Sequence, residues 1–311
     1  MSIEFRDVSF GPVGGLNIAA PSHAIIGLIG EKNSGITEIL QLAAGVETPA
    51  SGEIAGPETR RYTGPQDAVS PAPVDLLALD HSLAKYDAVI RSRTIVSLER
   101  LRRAGATILL ASHEEGLLER LCDELWWIQE GGRLVTKGHP SEILKRYRAH
   151  VAGRLEAWGA TLKPRLEPVK RYGNRAAQIE AIELLNGAGA STLTWKSGGE
   201  VAARVTLRFL EPVADPVVGL VIRTRVGIEA YGVNTRIDGL QLGSCVPEQI
   251  VKVTFHLRCE LAAGDYTLTA ASQDLDGTVH DWLDDAVGFV VVDDRPYSGF
   301  VNLHARVSLE S

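Results

Sequence analysis

The stretch GLIGEKNSGITEILQL at residues 27–42 constrains the fold more than any other part of the chain. Gly30, Gly35 and Thr37 stand at the spacing of the phosphate-binding pattern G-x-x-x-x-G-K-[ST], which forms the turn between a buried strand and a helix. Ile36 occupies the position of the pattern's lysine. The stretch predicts a strand–turn–helix unit and leaves open whether the turn still binds nucleotide.

The first half of the chain alternates apolar runs with helical patterns. Near-continuous apolar runs indicate buried strands at 24–30, 74–80 and 106–112. Residues 139–159 give the last helix, for which Ser141 is the expected N-cap. Such alternation is typical of a parallel sheet covered by helices. We therefore predict an α/β P-loop NTPase-like core in residues 1–150.

The pattern changes near residues 163–175, where two prolines, a glycine and clustered charges indicate a domain boundary. Beyond it, residues 200–209 and 251–258 alternate apolar with polar side chains, as half-buried strands do. Several short strands separated by turn residues predict an all-β, immunoglobulin-like sandwich. The expected organisation is a first domain at 1–150, a helix and linker at 151–173, and the sandwich at 174–311.

Charge is unevenly distributed over the chain, whose net charge is −7. Residues 151–175 carry a net +4 and residues 176–311 a net −8. The acidic second half argues against nucleic-acid binding, which needs a basic surface. No apolar run approaches the roughly 18 residues of a membrane-spanning helix. Three scattered cysteines indicate reduced thiols and no zinc site, so we expect no metal and a cytoplasmic protein.

Two further stretches share with the 30–37 loop a resemblance to a known family. VDLLALDHSLAKYD at 74–87 resembles the Walker B strand and D-loop of the nucleotide-binding subunits of ABC transporters. ATILLASHEEGLLERLCDELWWIQEGGRLVTKGHPSEI at 106–143 resembles their switch-histidine region. The resemblance implies nucleotide-site positions at Gly30, Lys32, Gly35, Thr37, Asp80, His81 and His113.

Several of these positions hold residues that do not suit ATP hydrolysis. Ile36 supplies neither charge nor donor where the family has its lysine, and His81 stands where the family has its catalytic glutamate. Lys32 either replaces the lost charge or faces solvent. Thr37 either holds Mg²⁺ through its hydroxyl or is a plain helix residue, and His113 either contacts phosphate or has no ligand.

The segment between Thr37 and Asp80 has only 42 residues, whereas the ABC ATPases that it resembles place a helical subdomain there. That subdomain carries the Q-loop and the LSGGQ signature, and Gln66 alone makes no convincing Q-loop. We therefore predict a core that lacks the ABC helical subdomain and does not hydrolyse ATP. No cofactor is expected, although Mg–ATP could bind with weak affinity.

The second half resembles the C-terminal domain of O-antigen and polysaccharide ABC exporter ATPases. The matching stretches include IEAIELLN at 179–186, PVVGLVIRTRVGIEAYGVNTRIDG at 216–239 and LAAGDYTLTAASQDLDGTVHDWLDDAVGFVV at 261–291. VNT at 233–235 and HDW at 280–282 stand where the family has TNT and YDW. The resemblance implies a glycan-binding β-sandwich and a homodimer formed by exchange of the C-terminal tail.

Polar positions of the alternating strands supply candidates for carbohydrate binding, since glycan recognition needs polar groups for hydroxyls and an aromatic ring for sugar C–H surfaces. Each candidate also fits an ordinary solvent-facing strand residue, and Asp281 and Trp282 are expected to be fold elements. The candidates are Arg204, Arg208, Arg223, Tyr231, Thr254, His256 and Arg258.

Together these features predict a non-hydrolysing paralogue of a polysaccharide exporter ATPase that binds glycan and regulates export or assembly. It would act in the cytoplasm or as a peripheral protein at the inner membrane, with exporter components as further partners. Two alternatives stay open: an ATP-binding subunit that works with an intact partner, and a dimerisation scaffold without ligand.

Overall fold

A computed structural model describes residues 2–162, 164–295 and 299–309. The chain divides into two compact units, Met1–Tyr147 and Arg148–Ser311. Among the described residues, none of the helices is both long enough and apolar enough to cross a membrane.

The first unit contains nine strands and the beginning of the last of four helices. The strands are β1 (Ile3–Phe10), β2 (Val13–Ala20), β3 (Ile25–Ile29), β4 (Ser51–Ala55), β5 (Arg60–Thr63), β6 (Leu76–Asp80), β7 (Thr107–Ala111), β8 (Glu124–Gln129) and β9 (Arg133–Gly138). The helices are α1 (Ile36–Ala43), α2 (Ala88–Arg103), α3 (Glu115–Leu121) and α4 (Pro140–Gly159), the last of which runs past Tyr147 in the sequence.

The main sheet of this unit has the strand order β5-β6-β7-β3-β8-β9. Its first five strands are parallel, and β9 joins β8 as an antiparallel edge strand. Every residue of β3, β6 and β7 is buried, as expected of parallel strands that are covered on both faces. The structure thus has the parallel sheet that the apolar runs predict.

A second, antiparallel sheet of order β2-β1-β4 shares a hydrophobic core with α1 and with the main sheet. Phe5 of β1, Leu28 of β3 and Ile39 of α1 are members of this core, and none is more than 1% exposed. The core fixes the start of α1 against the sheet and so positions the loop that precedes it.

Two details of this unit differ from the sequence predictions. Helix α4 starts at Pro140, so Ser141 is a helical residue and not the N-cap; proline suits the first helical position because no partner is needed for its missing N–H. Residues 55–73, whose prolines and glycines predict a loop, contain β5, which pairs with β6 in parallel.

In the described residues of the second unit, the end of α4 is followed by strands. They are β10 (Lys170–Tyr172), β11 (Ala177–Leu185), β12 (Thr194–Lys196), β13 (Glu200–Phe209), β14 (Val213–Ala214), β15 (Val217–Thr224), β16 (Glu229–Asn234), β17 (Ser244–Cys245), β18 (Ile250–Arg258), β19 (Gly264–Gln273) and β20 (Val279–Val292). One sheet has the order β11-β13-β18, and the other has the order β10-β20-β19-β15-β16.

The two sheets bury one common core, in which Phe209 comes from the first sheet and Leu268 from the second. Shared burial between the inner faces is the defining feature of a β-sandwich. The predicted linker 151–173 is too long at its C-terminal end, because β10 pairs with β20 through Tyr172 and Trp282. Two of the clustered charges of this segment, Lys170 and Arg171, lie on this exposed edge strand.

Candidate functional site

The loop before α1 depends on two glycines. Gly35 has a φ of 86°, in the left-handed region that glycine adopts without strain. A Cβ on Gly30 would lie 2.3 Å from the carbonyl oxygen of Ile128, so a side chain cannot fit there. The glycine spacing that the sequence shows is thus a steric requirement of the turn, whether or not phosphate binds.

Ile36 is part of the hydrophobic core at the start of α1. Ile36 is only 6% exposed, and it belongs to the same hydrophobic core as Ile39 and Leu40. A lysine at this position in a phosphate-binding loop places a positive charge on the phosphates. Here the side chain instead contributes to packing.

Asp80, at the end of β6, is held by two hydroxyl groups. The Thr37 hydroxyl donates a hydrogen bond of 2.9 Å to Oδ2 of Asp80, and the Tyr62 phenol donates one of 2.8 Å to the same oxygen. Burial, followed by the hydrogen bond to Asp80, raises the pKa of Tyr62. Oδ1 of Asp80 is buried and has no hydrogen-bond partner among the described residues.

His81 and His113 stack on each other beside the loop. Their ring centroids lie 4.6 Å apart, with an interplanar angle of 27°. Burial, followed by repulsion from His113, lowers the pKa of His81, and the attraction of Asp80 opposes this shift. His81 is therefore neutral at pH 7, and its φ of 50° is uncommon for a residue with a side chain.

A cavity of about 480 Å³ lies over the loop. The charged side chains that line it are the carboxylates of Glu31 and Glu38 and the ammonium group of Lys32. The structure brings the predicted positions together, with Asp80 hydrogen-bonded to Thr37. The predicted nucleotide-site positions that lie together are Gly30, Lys32, Gly35, Thr37, Asp80, His81 and His113. Glu31 and Glu38 thus place two negative charges beside the single ammonium group of Lys32.

In the second unit, five of the predicted carbohydrate-binding residues lie on the outer face of the β11-β13-β18 sheet. Strand pairing places Arg204 opposite Thr254, and it places Ala202 opposite His256. We name this surface the arginine face, and it comprises Arg204, Arg208, Thr254, His256 and Arg258.

Each guanidinium group of the arginine face already has a carboxylate partner. Arg204 lies 3.4 Å from Glu183, and Arg258 lies 2.9 Å from Glu260. Arg208 contacts two carboxylates, those of Glu180 and Glu248. A ligand on this face would have to displace these ion pairs.

The other two candidates lie on the opposite sheet, although Tyr231 lines one cavity together with His256 and Arg258. Arg223 is on the outer face of β15, where it contacts Glu229, Asp284 and Asp285. Tyr231 is on the edge strand β16 and pairs with Ile222, whose side chain belongs to the core. Strand alternation identified outward positions but not the sheet to which each strand belongs.

A groove of about 290 Å³ runs over the outer face of the second sheet. Strand pairing aligns four residues across β16, β15, β19 and β20, and these are Asn234, Gly219, Ala271 and Trp282. Gly219 and Ala271 form the floor of the groove between the amide of Asn234 and the indole of Trp282. Three strand spacings separate the ends, which gives a length of about 14 Å. The groove has Gly232, Thr269 and Gln273 as further lining residues.

Trp282 is held at one end of the groove by its neighbours. Its indole N–H donates a hydrogen bond of 2.7 Å to Asp284, and its ring stacks on Tyr172 with centroids 5.9 Å apart. At the other end, glycine at 219 leaves space for the amide, because a Cβ there would lie 3.1 Å from Cβ of Asn234. The groove combines an aromatic ring, a flat floor and amide groups.

Trp282 packs on Tyr172, as expected of a fold element, and its indole also lines an open groove. Asp281 is a fold element as expected, since it is 2% exposed and accepts hydrogen bonds from Arg171 and from the backbone of Ile179. Successive residues of a strand face opposite sides of the sheet. Because Asp281 and Leu283 are buried, Trp282 between them faces outward.

The family model described as the Wzt C-terminal domain matches residues 168–303. The chain is 23% identical to the O-antigen export system ATP-binding protein RfbB of Myxococcus xanthus, over 83% of this chain and 75% of that protein. It is 26% identical to the teichoic acids export ATP-binding protein TagH of Enterococcus faecalis, over 58% of this chain and 39% of that protein. A crystal structure of the C-terminal domain of Wzt covers 50% of this chain, with 20% identity and a TM-score of 0.44.

The family-model and sequence matches confirm the resemblance predicted from the sequence. The second unit is similar to the Wzt C-terminal domain over residues 168–303. The chain is similar to an O-antigen export ATP-binding protein over 83% of its length, and to a teichoic acids export ATP-binding protein over 58%.

Proposed function

We propose that the chain is a non-hydrolysing paralogue of a polysaccharide exporter ATPase, and that it binds a glycan during export or assembly of a surface polysaccharide. The observation that carries the proposal is the groove between Asn234 and Trp282. Sugar rings present flat C–H surfaces that stack on aromatic rings, and their hydroxyls pair with amide groups. A groove of about 14 Å has room for several sugar units.

The groove suits a neutral glycan better than the arginine face does. The Gln273 amide can donate and accept hydrogen bonds at once, as a sugar hydroxyl requires. The Asn234 amide nitrogen can donate, while its oxygen accepts a hydrogen bond from the backbone N–H of Ile237. The arginines of the other face are engaged with carboxylates of their own unit. Exchanging such an ion pair for a hydroxyl contact gains little free energy.

Loss of ATP hydrolysis is supported by three features of the first unit. Ile36 is buried where a lysine would contact phosphate, and His81 follows Asp80 where the related ATPases have a glutamate. Residues 44–75, all of which the structure describes, contain the strands β4 and β5 and no helix. We infer that the helical subdomain of ABC ATPases is missing from this segment.

The alignment with the relative from Myxococcus xanthus supports this inference. It extends over 337 positions, which exceeds the 311 residues of the whole chain, yet it covers only 83% of the chain. The relative therefore carries aligned residues that this chain lacks. Without a signature motif, a second copy cannot complete the nucleotide site of the first.

The proposed protein acts as a homodimer on the cytoplasmic side of the membrane, with exporter components as partners. Residue 301 of the tail bridges to Leu261 of its own sandwich. Beyond it, Leu303, Val307 and Leu309 alternate with polar residues and are each at least 81% exposed. An exposed alternating segment of this kind is suited to pair with an edge strand of a second copy.

The experiment is a calorimetric titration of the full chain with oligosaccharides prepared from the host's own surface polysaccharide. We expect micromolar to millimolar affinity, at least about tenfold weaker in Trp282→Ala, because a central aromatic contact typically supplies more than 1.4 kcal/mol. Arg204→Ala is the matched control on the other face and should bind like the wild type. Equal loss in both variants, or binding by Trp282→Ala at wild-type strength, would contradict the groove assignment.

A second candidate function, an ATP-binding subunit working with an intact partner, is favoured by one observation. Thr37 and Asp80 keep the positions of metal-linked residues, and Oδ1 of Asp80 has no hydrogen-bond partner within the described ranges. Phosphate release by the purified chain alone and with its partner ATPase distinguishes the two functions. The non-hydrolysing protein adds nothing to the partner's rate.

A further inference from the structure

The C-terminal tail is tied to the second unit by Asn302, which is only 6% exposed. Its side-chain amide donates hydrogen bonds to Ser197 (3.3 Å) and to Asp293 (3.0 Å). Its own backbone N–H donates to the carbonyl oxygen of Glu260. Because these three groups hold Asn302 in place, the residues after it pass over the turn formed by residues 197–199.

His304 packs directly on this turn. A Cβ on Gly198 would lie 2.7 Å from Cε1 of His304, so only glycine leaves room for the imidazole. The backbone of His304 has a φ of 50°, and its N–H donates to the side chain of Asn302. A non-glycine residue keeps such a conformation only where its surroundings hold it there.

Five basic side chains surround a cavity of about 440 Å³ above the turn. The backbone of residues 197–199 forms the rest of its lining. The five are Lys196, Arg258, Arg295, His304 and Arg306. They come from the end of β12, the end of β18 and the tail, so the fold assembles them from three separate parts of the sequence.

The charge of this cavity is not balanced. Glu260 pairs with Arg258 at 2.9 Å and lies 3.3 Å from His304. Within residues 2–162, 164–295 and 299–309, the other three cations have no carboxylate partner. These three are Lys196, Arg295 and Arg306. They concentrate positive charge at one place, although residues 176–311 together carry a net −8.

We propose that this cavity binds a phosphate group. Guanidinium groups match the geometry of phosphate oxygens and bind them through paired N–H donors, and an ammonium group adds a point charge. A neutral sugar would leave the three cations without partners. The site is separate from the groove, since none of its residues lines that groove, and it does not depend on glycan binding there.

The phosphate group could belong to a soluble phosphoester or to a lipid headgroup, and two measurements distinguish these sources. In the first, the full chain is titrated with pyrophosphate at fixed ionic strength and the amide signals of Gly198 and Gly199 are followed by NMR. In the second, binding to vesicles of phosphatidylcholine with and without phosphatidic acid is measured by sedimentation.

We expect pyrophosphate to shift both glycine signals, with an affinity at least about tenfold lower in the Lys196→Ala/Arg306→Ala double variant, because each lost contact is a charge-assisted hydrogen bond. Arg236→Ala, which removes an exposed arginine outside the cavity, should bind like the wild type. Both replaced side chains are exposed, so the double variant should have the same melting temperature as the wild type.

Binding to phosphatidic acid vesicles alone, again lost in the double variant, supports the site with a lipid headgroup as its ligand. Absence of binding in both measurements overturns the proposal. The same holds if the double variant retains wild-type affinity, or if Arg236→Ala loses affinity to the same extent.

Discussion

Replacing Ile36 by lysine restores the phosphate-binding pattern on paper, but the structure indicates that it weakens the first unit. Ile36 is 6% exposed and packs in the core with Ile39 and Leu40. Burying an isoleucine side chain stabilises a fold by about 1.5–3 kcal/mol. The lysine can direct its ammonium group into the cavity over the loop, so the loss of burial is the main effect, and we expect Ile36→Lys to lose about that much.

Thermal unfolding followed by circular dichroism measures this effect. For a unit of about 150 residues, each kcal/mol shifts Tm by about 2–4 °C, so the expected decrease is about 3–12 °C. Ile36→Leu is the matched control, because a volume-conserving apolar replacement costs less than about 1.5 kcal/mol. Phosphate release should stay at the level of a heat-inactivated sample in all three proteins, since His81 cannot replace the missing glutamate.

A Tm of Ile36→Lys equal to that of the wild type would show that Ile36 is not a core residue. ATP turnover by this variant would show that the loop had kept the remainder of a working site. Either result would refute the reasoning that the isoleucine has become structural.

Three further predictions concern other parts of the chain. Asp281→Ala removes the buried partner of the half-exposed Arg171 and leaves the backbone N–H of Ile179 without its acceptor, so it should lower the free energy of unfolding by about 1–3 kcal/mol in urea titrations; a loss below about 1 kcal/mol would contradict the role given to this carboxylate. The folded-state pKa of His81 lies below its ordinary value of 6.5, so its contribution to stability is present above that pH and is lost as the pH falls through the folded-state pKa. His81→Asn, which tolerates the same positive φ, should therefore lose less stability than the wild type between pH 7.5 and 5, and identical pH profiles would count against the shift. A chain that ends at Asp294 should be monomeric by light scattering where the full chain is dimeric, and a dimer for both would exclude exchange of the tail.

Much of the fold follows from periodicity in the sequence. The buried strands β3, β6 and β7 lie within the predicted apolar runs, because a parallel strand covered on both faces needs apolar residues throughout. The alternating strands β13 and β18 likewise show the pattern of a sheet with one buried face. By contrast, β10 and β5 lie in segments rich in charge or proline, and their pairing depends on partners distant in sequence.

The candidate sites were less predictable, because they depend on which strands become neighbours. The positions in the loop itself could be identified because their spacing is local. Asp80, His81 and His113 lie outside the loop and were identified from the family motifs. Tyr62, which donates to Asp80, lies in a segment without a motif and could not be identified. The groove required the pairing of β16, β15, β19 and β20, although VNT and HDW each contain one of its end residues.

The most direct test of the account uses the five tryptophans of the chain as reporters in one NMR titration. Trp282 lines the groove, Trp126 and Trp195 are buried in the cores of the two units, and Trp127 and Trp158 lie on β8 and α4. Adding the host's surface oligosaccharide to the full chain should shift the indole N–H signal of Trp282 and leave the other four in place. Unchanged indole signals at saturating oligosaccharide, or shifts in the other four without one at Trp282, would contradict the claim that this groove binds the glycan.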